Sequence, residues 1–111
     1  MKFEEKIISI EEFNKMKSIF DSKIKTKIGD AYSAYLRISL EDLKNYISMI
    51  EKQASENQVK VQDIKFHFVS KNDETGQLTL VLEGTFDNAD IKASLMNKFI
   101  LCPPNCGEGG N

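Results

Sequence analysis

Ile64-Lys65-Phe66-His67-Phe68-Val69, the turn-rich Asn72-Asp73-Glu74-Thr75-Gly76, then Leu78-Thr79-Leu80-Val81-Leu82-Glu83 form the stretch whose period decides the fold. The apolar Ile64, Phe66 and Phe68, and then Leu78, Leu80 and Leu82, stand at every second position, which is the repeat of a pleated strand and not of a helix. The turn formers between the runs make the pair a β-hairpin. Directly opposed residues of an antiparallel pair share a face, so setting the phenylalanine row against the leucine row requires paired residue numbers with an even sum, for example Phe66 with Leu80. The loop is then odd in length, with turn formers for three or five residues, and Gly76 is suited to a left-handed or bulge position in it. Gly84 is predicted to mark a second bulge.

Outward from the hairpin the period changes to that of helices. Ser9 followed by Glu12 has capping-box spacing, and Ile10, Phe13, Met16, Phe20 and Ile24 recur on one face. With Ile28 extending the stripe and Gly29 as a C-terminal stop, the pattern predicts a helix over 10–28. Leu36 and Ile38 alternate with Tyr35, Arg37 and Ser39, predicting a short strand within 31–39. Ser39 then caps a second helix, closed by Asn57, with Leu40, Leu43, Ile47, Ile50 and Ala54 on its apolar face. Beyond Phe86, the four-residue spacing of Ile91, Leu95 and Phe99 predicts a short helix over 89–99 with Asn88 as its cap.

This order of elements gives an α+β domain, in which an antiparallel sheet of at least three strands, containing the hairpin, packs against two amphipathic helices. The expected core is Phe13, Phe20, Leu36, Ile38, Leu43, Ile47, Ile50, Ile64, Phe66, Phe68, Leu78, Leu80, Leu82 and Phe86. On that assignment Phe66→Ala costs about 3–5 kcal/mol, and Lys65→Ala almost nothing. Lys65, His67, Val69, Thr79 and Val81 lie on the opposite face, polar without being strongly charged, and form the expected interaction face for self-association or a protein partner.

The 111 residues, 41% hydrophobic and 29% charged, suffice for one modest core and are too few for two. Residues 1–101 are read as a single domain and 102–111 as a Cys/Pro/Gly-rich tail. A net charge of −2 offers no summed positive field for a polyanion, which argues against nucleic-acid binding. The opening Met1-Lys2-Phe3-Glu4-Glu5-Lys6 is unlike a secretory signal, and the longest apolar stretches, such as Phe99-Ile100-Leu101-Cys102, fall far short of the roughly 20 residues that cross a bilayer. A cytoplasmic protein without membrane attachment is expected, where cysteines stay reduced unless they do chemistry or bind metal.

Catalytic chemistry has no signature. The glycines form no phosphate-binding loop, so no nucleotide cofactor is implied. His67 is the single histidine, on a strand face with no evident charge partner, and the adjacent acids Glu11-Glu12 and Asp73-Glu74 do not converge on one substrate bond. No catalytic, cofactor-binding or metal-binding residues are therefore assigned.

The tail differs, because Cys102-Pro103-Pro104-Asn105-Cys106-Gly107 holds both cysteines of the chain. An extended path would set the two Cα atoms roughly 12 Å apart, beyond the reach of a disulfide, whereas a turn at Pro104-Asn105 would bring them together. Cys102 and Cys106 thus form a candidate thiol site, open to an extended dithiol, a clipped loop or a metal-linked state, beside the plainer reading of a structural tail. Residues 103–111 contain nothing able to anchor in a core and are expected to be dispensable for folding; Phe99, Ile100 and Leu101 are expected to dock.

Three stretches, Ile38-Ser39-Leu40-Glu41-Asp42-Leu43-Lys44-Asn45-Tyr46-Ile47, the hairpin, and the terminal C-P-P-N-C-G, together resemble small Bacteroidota proteins that end in C-P-P-x-C. The likeness spans roughly residues 36–107. It implies a bacterial origin and brings no activity with it. The function expected from the sequence is a small non-enzymatic protein-interaction module, with a thiol protein acting through Cys102 and Cys106 as the alternative and a small-molecule binder between helix and sheet as a third class.

Overall fold

The computed structural model describes residues 3–71, 74, 76–97, 99–102 and 106. After a 3-10 turn at Phe3–Lys6, helix α1 (Ile10–Phe20) opens with the full capping box: Ser9 Oγ accepts from the Glu12 amide at 3.0 Å, and the Glu12 carboxylate accepts from the Ser9 amide at 3.4 Å. It widens into a π turn at Asp21–Lys25 and closes with a last α turn, Thr26–Ile28, at Gly29, whose φ of +51° suits a residue without a side chain. The predicted span 10–28 is therefore helical throughout.

Strand β1 (Tyr35–Arg37) leads into helix α2 (Leu40–Glu56), where Ser39 Oγ accepts from the Asp42 amide at 3.0 Å. The hairpin follows as β2 (Val61–Ser70) and β3 (Leu78–Phe86), then β4 (Leu95–Met96) and β5 (Ile100–Cys102). Among the described residues these make two antiparallel sheets, one ordered β2-β3-β4 and the other pairing β1 with β5.

Register follows the even-sum rule, with Phe66 opposite Leu82 and Phe68 opposite Leu80, two positions along from the Phe66–Leu80 example. The paired strands end at Ser70 and Leu78, the Lys71 amide donates to the Gln77 carbonyl at 2.8 Å just beyond them, and Gly76 takes a φ of +64°. The bulge falls between Val61 and Asp63 and not at Gly84. Gly84 serves packing instead: a Cβ there would lie 2.9 Å from Ile50 Cδ1 and 3.1 Å from Ile50 Cγ2, so glycine lets α2 settle directly on β3.

The buried core is Tyr46, Ile50 and Ala54 from α2 with Leu82, Phe86 and Ala93, flanked by Leu43, Ile64, Leu80, Ile91, Met96 and Phe99 among others. Tyr46, absent from the expected stripe, is its polar pin. Its hydroxyl donates toward the Ser94 carbonyl at 2.8 Å, with the Leu82 carbonyl at 3.2 Å, and accepts from the Gly84 amide at 2.9 Å. Burial pushes this phenol above its usual pKa, keeping it a donor.

The helix predicted over 89–99 is replaced by a turn and a strand. The Asn88 side chain accepts from the Asp90 amide at 2.9 Å in an Asx turn, and Ser94 is held by the Gln53 side chain, by 3.1 Å to its amide and 2.8 Å to its hydroxyl. These ties and the pairing of Leu95 and Met96 with Glu83 and Leu82 draw the segment out along β3. The core expectation also needs correction, since Phe13, Phe66 and Phe68 are 45%, 55% and 82% exposed, and Phe20, Leu36, Ile38, Ile47 and Leu78 are half-buried. The physical reason is coverage: α2 shields the Leu82–Phe86 end of the hairpin and leaves the Phe68–Leu80 end to α1, which contributes no buried residue.

Candidate functional site: an apolar cleft under the first helix

The capping box starts α1 and its stripe gives it an apolar face, but that face stands off from the sheet. Phe13, Met16 and Phe20, with Lys17 beside them, look across an open cleft of about 560 Å³ toward Phe68, Leu78 and Leu80, with Ser33–Leu36 forming another wall. Ile10, Met16 and Ile19 on the same helix are 67%, 60% and 51% exposed, so the cleft continues into a broader apolar surface.

The wall segment is fixed at both ends. Ser33, buried, donates from Oγ to the Leu78 carbonyl at 2.8 Å. The Ala34 amide donates to the Cys102 carbonyl at 2.6 Å, and the Tyr35 hydroxyl to the Cys106 carbonyl at 2.6 Å. At the helix end Phe20 stacks at a tilt on Tyr32, whose ring also carries the Lys25 ammonium at 4.8 Å from its centroid.

Cys102 and Cys106 are joined as a disulfide, with Cα atoms 4.6 Å apart, the clipped form among the alternatives that the sequence left open. Cys102 is buried at the end of β5, one residue past the expected domain boundary, while Cys106 is exposed. Residues 103–105 and 107–111 of the expected tail lie outside the described residues.

The expected interaction face is assembled by the pairs Lys65–Glu83, His67–Val81 and Val69–Thr79. Lys65 and His67 are exposed and Val69 and Val81 half-buried, whereas Thr79 is buried and lines the cleft under α1. His67 is not without a charge partner, since its Nε2 lies 2.7 Å from Glu83 Oε1 on the diagonal position of β3. That hydrogen bond, with the positive charges of Lys65 and Lys92 nearby, holds the Glu83 carboxyl below the usual carboxylate range. Among the described residues no three His, Cys, Asp or Glu side chains gather as a metal site. The geometry therefore offers, among the described residues, apolar contact area, a disulfide and a cross-strand hydrogen bond between His67 and Glu83.

No family model matches the chain, and neither a curated protein nor a solved structure matches it significantly.

Proposed function

We propose that this chain is a small non-enzymatic protein-interaction module, of bacterial origin and cytoplasmic, whose working surface is the cleft between α1 and the hairpin together with Phe66 and Phe68. The carrying observation is Phe68. It shares a strand face with the core yet is 82% exposed, beside a helix whose apolar residues are largely uncovered. Contiguous apolar surface of this kind marks sites of association more often than solvated surface. The partner favoured here is a protein, whose apolar side chains would cover Phe13, Met16, Phe66 and Phe68; among the described residues no helix is long and apolar enough to cross a membrane.

A photo-crosslinking phenylalanine analogue placed at Phe13 or Phe68 in the native host is expected to give protein adducts, and one placed at Glu51 on the outer side of α2 is not. Equal labelling at all three positions, or none at Phe13 and Phe68, would overturn the proposal.

The thiol reading keeps one specific support, the pairing of a buried Cys102 with an exposed Cys106. A thiolate from an external dithiol could attack Cys106 Sγ, forming a mixed disulfide and releasing Cys102 as the thiolate; the dithiol's second sulfur then displaces Cys106 and leaves as the oxidised partner. In a reducing cytoplasm the bridge would form only on oxidation. Free-thiol titration and metal analysis, compared with the Cys102→Ser/Cys106→Ser double variant, separate this chemistry from a plain interaction role.

A further inference from the structure

Strand β2 is the outer strand of its sheet, ten residues long, with β3 as its neighbour. The Lys71 amide donates to the Gln77 carbonyl at 2.8 Å, which fixes the phase of the ladder. In an antiparallel pair bonded and non-bonded positions alternate, so Lys65, His67 and Val69 bond to β3 while Ile64, Phe66, Phe68 and Ser70 turn their N–H and C=O groups outward. The residues with open backbone groups are thus the ones that carry the exposed phenylalanines. A long edge with apolar side chains and no proline is a template for another strand.

We infer that β2 pairs antiparallel with β2 of a second copy of this chain, about a two-fold axis at His67. The inference rests on the interaction-module proposal and names its partner. Every even sum of paired residue numbers matches apolar face to apolar face across a two-fold, and the sums 130, 132 and 134 centre the pairing on Lys65, Phe66 and His67. The first opposes the two Lys65 ammonium groups on the axis, and the second sets Lys65 against the partner's His67 twice, so in both a lysine charge meets a basic group. The third opposes the two His67 imidazoles once, on the axis, places Lys65 opposite Val69, and sets Phe66 against Phe68 twice and Asp63 against Lys71 twice, giving aromatic and opposite-charge pairs on the two faces. Complementarity selects the third, which centres on His67 and joins the two three-stranded sheets edge to edge.

The surface is available. The chain exposes 8452 Å², against roughly 6200 Å² for a compact protein of this mass, and the excess is larger than the roughly 800 Å² that each partner buries in a standard interface. The radius of gyration, 16.6 Å, likewise exceeds the roughly 13 Å of a compact domain of this length.

Sedimentation of the purified full chain is expected to give twice the 12.6 kDa chain mass. Phe66→Lys/Phe68→Lys, which alters exposed side chains and sets like charges against each other, is expected to weaken association about 30-fold or more. Phe68→Pro, which removes an outward N–H and no bond to β3, is expected to weaken it similarly. Mild oxidation of His67→Cys should join two chains, and that of Lys44→Cys should not; circular dichroism checks that each variant is folded. A monomeric wild type, or a dimer indifferent to the lysine and proline changes while cross-linking at another site, overturns the inference. Adducts at Phe13 and Phe68 to a different protein, from a chain that sediments as a monomer, would leave the interaction-module proposal standing and remove only self-pairing.

Discussion

The Gly84 end of the hairpin is closed by α2 and the Phe68 end lies open under α1, although one alternation runs through both ends and both helices carry an apolar stripe. At the closed end a missing side chain on β3 admits Ile50, and the Tyr46 hydroxyl joins helix, hairpin and the Ser94 segment at once. At the open end Phe68 and Leu80 present full side chains, and the tie to the hairpin is Ser33, which lies beyond α1. An amphipathic stripe states which face wants cover. Close approach and a satisfied polar pin decide whether a helix supplies it.

The largest test of this contrast is a pair of truncations. Ile50→Ala, at a side chain 1% exposed, is expected to cost about 2–5 kcal/mol by urea denaturation. Phe66→Ala, at 55% exposure, is expected to cost about 1 kcal/mol in the isolated chain, below the 3–5 kcal/mol that follows from assigning it to the core. Equal costs would mean that the open end is as well packed as the closed one. A cost for Phe66 that grows with protein concentration would instead reflect self-association.

Removing only the pin sharpens the comparison. Tyr46→Phe keeps the ring and leaves the Gly84 amide and Ser94 carbonyl without this partner, so a loss of about 1–3 kcal/mol is expected. A change within error would mean that packing against Gly84 suffices to close this end.

The smallest effect belongs to the opposite face. The Glu83 pKa is lower in the folded than in the unfolded chain, so its stabilising contribution is present above the ordinary glutamate value of about 4.3 and is lost as pH falls through the depressed folded value. Melting curves between neutral and acid pH should therefore show a slightly steeper acid-side decline for wild type than for Glu83→Gln or His67→Ala. Parallel curves would show that the 2.7 Å contact carries no coupling in solution.

Much of this architecture was legible from local pattern. The period of two between Ile64 and Leu82 set the hairpin and its even-sum register, Ser9 and Ser39 set both helix starts, and Gly29 and Gly76 took the positive φ assigned to them, because each feature depends on neighbours a few residues away or on one strand pair. The Glu83 partner of His67 also lay within reach, since the even-sum rule puts both on the same face. Tertiary structure alone decided the rest. Ser94 and Asn88 turned a helical spacing at 91–99 into a turn and strand, a glycine expected to bulge became the seat of Ile50, and Phe13, Phe66 and Phe68, expected inside, were left outside. Those outcomes depend on where α2 lands across the hairpin, a long-range choice set by packing volume and by hydrogen bonds between distant segments, which periodicity along the chain does not encode.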